Sequence, residues 1–154
     1  GLSDNNQWIA TGSTDQSLCT IDFDSMEILA TFVNLHDGPI RSLAISADSD
    51  FIVTGSDDRS IRVIDVEDNQ VIMVITDVHD SILVSVLNNI NCGYLDSIRA
   101  IKITSDSRFI ISGSKDGSIK VYDIDTDDYY WSREKAHDRK TLNCVRDILF
   151  FVYS

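Results

Sequence analysis

Three histidines each precede an aspartate, and such pairs could supply a general base, a proton relay or metal ligands: His36-Asp37, His79-Asp80 and His137-Asp138. A carboxylate beside an imidazole fixes the ring's tautomer and raises its basicity. The hydroxyls and acids that would complete such a site are also present, as Thr11 with Asp15, Thr54 with Asp58, and Ser112 with Asp116. The histidines, however, stand 43 and 58 residues apart. That spacing follows a larger repeat and assigns each ring to a different structural unit, so metal ligation is not expected. A second cluster, Asp123, Asp125 and Asp127 with Glu134, mimics the ligand positions of a calcium loop. The sixth position of such a loop should be glycine and is Asp128. The following Tyr129-Tyr130-Trp131 reads as a strand, not a flanking helix. The chain contains no G-x-S-x-G, no phosphate-cradling glycine loop and no paired histidine ligands. Cys144 lies in an apolar run and reads as a small hydrophobe. No catalytic residue, metal or cofactor is therefore expected.

The elements that carry these residues repeat. A bulky apolar pair, Thr/Ser-Gly-Ser, an Asp two residues on, a Ser and a β-branched run ending in Asp occur three times. The copies are Trp8–Ser17 through Asp22, Phe51–Ser60 through Asp65, and Phe109–Ser118 through Asp123. The central Gly12, Gly55 and Gly113 are 43 and 58 residues apart. A period of about 40–45 residues is that of a propeller blade, and the longer interval carries an insertion. Short Ile/Val-rich runs separated by Asp, Ser, Asn and Gly give strands and turns. The expected strands are Trp8–Gly12, Leu18–Phe23, Ile28–Val33, Ile40–Ser46, Phe51–Gly55, Ser60–Val66, Val71–Thr76, Ile98–Thr104, Phe109–Gly113, Ser118–Ile124, Tyr129–Arg133 and Leu142–Val152.

Composition narrows the partners. The net charge is −12 over 154 residues, which disfavours nucleic acid and anionic membrane surfaces. The odd set Cys19, Cys92 and Cys144 argues for reduced thiols and an intracellular, cytoplasmic setting.

The repeat phrase, with His-Asp ahead of each inner strand, resembles the WD40-repeat family. The family's Trp-Asp pair is degenerate here, reading Ile21-Asp22, Ile64-Asp65 and Tyr122-Asp123. The resemblance implies an all-β, WD40-type β-propeller of about three four-stranded antiparallel blades, incomplete as a ring. Blade 1 strands span 6–33, blade 2 spans 39–76, a top-face insert spans 80–94, blade 3 spans 97–133, and a fourth blade starts at 141–152. It also implies a buried hydrogen-bonded tetrad in each blade. By position this is His36, Thr54, Asp58 and Ile64 in blade 2, and His79, Ser112, Asp116 and Tyr122 in blade 3. Blade 1 has Thr11, Asp15 and Ile21 with no preceding histidine, and His137 has no downstream partners. Isoleucine cannot donate to the hydroxyl, so two blades should hold three-member networks.

Three blades do not close a ring. The expectation is a segment of a longer propeller, and the alternative is a homodimer in which Leu142–Val152 completes the first sheet of a second copy. The insert 80–94 is either a partner-binding arm or a loop packed on its own propeller. The family layout exposes Thr14, Asp57 and Lys115 before the turn acids, and Pro39, Arg41, Ser97, Arg99 and Asn143 at inner-strand starts. These are the candidate contacts of a non-catalytic scaffold for protein or peptide partners. Rival readings are a substrate receptor of a ubiquitin ligase, an accessory propeller of an enzyme such as a kinase, and a structural part of a ciliary or transport assembly. Asp24, Glu67 and Asp125 stand where ligase receptors often carry arginine, which counts against the first.

Overall fold

The computed structural model describes residues 1–76, 78 and 97–133. These residues form three antiparallel sheets. The first holds β1 (Trp8–Gly12), β2 (Leu18–Asp22) and β3 (Ile28–Phe32). The second holds β4 (Ile40–Ile45), β5 (Phe51–Ser56), β6 (Ile61–Asp65) and β7 (Gln70–Ile75). The third holds β8 (Ile98–Ile103), β9 (Phe109–Ser114), β10 (Ile119–Asp123) and β11 (Asp128–Arg133). Each sheet is a meander in chain order. The strand ends fall within one residue of the expected ones. The expected Leu142–Val152 strand, the insert 80–94, His79, His137 and Asn143 lie outside the described residues.

Each hydrophobic core lies between two sheets. Trp8, Ala10, Leu18 and Leu35 meet Ile40, Ile52 and Ile64 between the first and second sheets. Val53, Ile61, Val63 and Ile75 meet Ile98, Ile101, Ile110 and Tyr122 between the second and third. Successive strand residues point to opposite faces. Ile52 therefore faces one neighbour and Val53 the other, which accounts for the uninterrupted apolar run in β5. The described sheets do not close a ring.

The repeated acids build the turns. Asp15, Asp58 and Asp116 each accept the amide and hydroxyl of the serine two residues on: Ser17, Ser60 and Ser118. This is an Asx turn, which ties the β1–β2, β5–β6 and β9–β10 hairpins. The residue after each acid is left-handed: Gln16 at φ 73°, Arg59 at φ 70° and Gly117 at φ 88°. Only the third copy uses glycine at this position. The closing acids Asp22 and Asp65 accept amides from the next turn.

The backbone also locates the insertion. Leu35 N–H donates to Gln16 C=O, and Val78 N–H donates to Arg59 C=O in the same way. Asp57 N–H donates to Pro39 C=O, and Lys115 N–H to Ser97 C=O. The repeat is thus in step at Val78 and again at Ser97, so the additional residues of the longer interval lie between them.

Candidate functional site

The second sheet carries a hydrogen-bonded chain centred on His36, which is 1% exposed. The ring Nδ1–H donates to Asp58 Oδ2 at 2.9 Å, with Ser60 Oγ at 3.0 Å as a further partner. Nε2 lies 2.8 Å from Thr54 Oγ1, which is also fully buried. The Thr54 hydroxyl is 3.4 Å from the Arg62 carbonyl across the strand pair. Ile64 contributes no polar atom and packs in the core instead. Asp58 Oδ2 additionally accepts the Asp37 amide at 2.9 Å, so the loop bearing His36 is tied to the hairpin turn twice. Burial alone raises the Asp58 carboxyl. Hydrogen bonds from His36, the Ser60 hydroxyl and the Ser60 amide, with electrostatic attraction to the His36 ring, outweigh it and hold the group well below the usual carboxylate range.

The first sheet differs. Thr11 and Asp15 are both exposed and are not brought together; Asp15 bonds only within its own turn. No histidine or inner strand covers them among the described residues, so this pair is no buried network. In the third sheet Ser112 and Asp116 are buried. Tyr122 does not bond to Ser112, contrary to its expected tetrad place. Its ring is buried, but its hydroxyl donates to Asp127 in the β10–β11 turn. A β-bulge at Val121/Tyr122 accompanies this, and the phenol carries its donor past the strand to the turn. Of the residues that mimicked a calcium loop, Asp123 pairs with Arg108 at 2.8 Å and Asp127 takes the Tyr122 hydroxyl, while Glu134 lies outside the described residues.

One charged cluster crosses the sheets. Asp57, in the β5–β6 turn, has a side chain only 1% exposed. Arg41 of β4 donates to its Oδ2 from Nε at 2.8 Å and from a terminal nitrogen at 2.5 Å. Arg99 of β8 approaches Oδ1 to 3.9 Å. The guanidinium-bearing side chains are 32% and 34% exposed. Asp57 Oδ1 is shielded from solvent and accepts no hydrogen bond. Asp57 is therefore not the surface contact expected from its repeat position: two arginines cover it, since a buried carboxylate must be paired. Ser97 is likewise fully buried, and its carbonyl accepts the Lys115 amide from the turn of the third sheet. Thr14 is exposed, whereas Pro39 and Lys115 are half-buried.

The repeated interlocking of sheets, turns and His36 invites comparison with known repeats. The family described as "WD domain, G-beta repeat" matches residues 26–65 and 81–123. The chain belongs to the WD40-repeat family. A WD repeat-containing protein 55 homolog of Dictyostelium discoideum is 38% identical over 56 residues, which is 36% of this WD40 chain and 14% of that protein. A crystal structure of RRP9 WD40 repeats superposes with a TM-score of 0.73 at 17% identity, covering 90% of this chain and 38% of that one. That likeness carries the propeller fold. The WD40 chain thus spans well under half the length of either relative.

Sequence reasoning missed three features. Ser60 shares the His36 ring nitrogen, and the recurrence of serine at 17, 60 and 118 was the available signal. Gly1 and Ala10 exchange backbone hydrogen bonds, and Leu2 bridges Ile9, so the chain start pairs with β1. The likeness of Leu2-Ser3 to Ile45-Ser46 marked this pairing. The burial of Asp57 had no local signal, since it depends on Arg41 of the inner strand of its own sheet and on Arg99 of the next.

Proposed function

We propose that this chain is a non-catalytic protein-interaction scaffold of the WD40 type, which docks a protein or peptide partner on the face bearing Arg41, Arg99 and Lys115. One observation carries this reading: arginines from two neighbouring sheets converge on Asp57 and keep a third of their side-chain surface outward. Arginine is enriched in binding hot spots, and a rigid blade fixes its position. The imidazole and the turn acids serve the hairpins, so they support architecture more than reaction chemistry. The free thiol of Cys19 agrees with a reducing, cytoplasmic setting. Affinity capture from a cell extract tests the proposal. The native chain should retain a partner that the Arg41→Glu/Arg99→Glu variant, still folded, loses. Equal capture by both would put docking elsewhere.

A further inference from the structure

We infer that the outer margin of the seam between the first two sheets is a second docking surface, where Arg62 takes a glutamate carboxylate from an apolar segment of a partner protein. This surface is separate from the face bearing Arg41 and Arg99, and either can stand without the other.

The placement follows from register. Ile64 of β6 packs between the first and second sheets. Strand residues two apart share a face, so Arg62 points to the same seam. Val74 of β7 stands opposite Arg62, and Val71 stands opposite Ile64. Cross-strand neighbours also share a face, so both valines line the outer margin of the seam. They are 49% and 38% exposed. Phe32 of β3 packs against the same core from the first sheet. The Thr54 hydroxyl meets the Arg62 carbonyl, so the strand beneath this side chain is tied to the His36 network.

Arg62 is half-buried. Its Nε is shielded from solvent and donates no hydrogen bond. Among the described residues the guanidinium has no carboxylate partner. The third sheet treats the same repeat position differently: the Lys120 ammonium lies 5.3 Å over the Tyr129 ring. Val71 stands at the repeat position of Tyr129 and supplies no ring.

Charge and shape select the ligand. The arginine fork presents Nε–H and a terminal N–H to the two oxygens of one carboxylate. A glutamate neutralises the single positive charge and brings an apolar stem that suits Val71, Val74 and Phe32. A phosphate near −2 leaves an uncompensated charge against apolar walls. A lysine is repelled by Arg62.

The test uses the full chain with 15N-labelled arginine and follows the Arg62 Nε–H signal by NMR. The probes are N-acetylated, C-amidated heptapeptides with a central glutamate, glutamine or phosphoserine. Valines at the second and sixth positions share the face of the central residue, and threonines fill the rest. The glutamate peptide should shift the Arg62 signal saturably. The glutamine peptide should bind about tenfold more weakly, through loss of one charge-assisted pair. Arg62→Gln should weaken glutamate-peptide binding by the same factor. Arg62→Lys should recover only part of it, because an ammonium lacks the fork. Lys102→Gln, an exposed control, should bind as the native chain does. If Arg62→Gln does not melt as a folded chain, the native signal and the glutamate-to-glutamine ratio decide. Absence of a saturable Arg62 shift, a ratio near one, tighter binding of the phosphoserine peptide, or an equal loss in Lys102→Gln would overturn the inference.

Discussion

Gly55 on β5 lies so close to Ile98 on β8 that an added methyl would stand 2.6 Å from the Ile98 Cγ2 and 2.5 Å from Ile101 Cδ1. Gly12 meets Ile40 in the same way, at 2.6 Å. The repeat glycine is therefore the point where one sheet receives the inner strand of the next. Sheet-to-sheet packing, more than backbone freedom, requires glycine there.

Gly55→Ala should accordingly destabilise the chain by about 1–3 kcal/mol, the usual cost of overpacking a filled core. Ala44→Gly, on the half-buried stretch of β4, should cost about 1 kcal/mol, through backbone entropy and the loss of one methyl packed on the core. Thermal melts of the two variants check the order. A Gly55→Ala chain as stable as the native one would contradict the packing account.

Asp58 should govern acid sensitivity. Its carboxyl is held below the usual range, so it contributes stability that is present above about pH 4 and is lost as the pH falls through its folded-state value. Asp58→Ala should cost about 1–3 kcal/mol at neutral pH, through the unmatched donors of His36 and Ser60. The difference between native and variant should shrink on acidification. Denaturant unfolding at pH 7 and pH 3 measures it, and a gap that widens in acid would refute the sign.

The left-handed residue of each hairpin separates local strain from packing. Gly117 at φ 88° should not tolerate a side chain freely, and Gly117→Ala should cost about 1 kcal/mol. The reciprocal Gln16→Gly, at φ 73°, should be nearly neutral, because relieved strain offsets the lost backbone restriction. Chemical denaturation of both variants provides the check.

Removal of residues 80–94 should leave the sheets intact, since the backbone bonds of Val78 and Ser97 already match those of Leu35 and Pro39. A strand-type circular dichroism spectrum and a cooperative melt are expected of the shortened chain. Global unfolding would place those residues in the core.

The strands were legible because their signal is local: β-branched runs, turn acids and glycines recur in each copy. The His36–Asp58–Thr54 chain was legible because the repeat aligns its members, although they come from a loop, a turn and a strand. What could not be read depends on neighbours. The sequence around Asp57 resembles that around the exposed Thr14, but Arg41 and Arg99 cover Asp57. Tyr122 looked like a substitute for tryptophan, but its phenol reaches the turn acid Asp127 because a bulge sets the register there.

Hydrogen–deuterium exchange of the chain, with and without its captured partner, tests the interaction account most directly. Binding on the proposed face should slow exchange at residues 40, 41, 57, 97–99 and 115. Protection confined to the outer strands β3, β7 and β11, with no change at those positions, would contradict it.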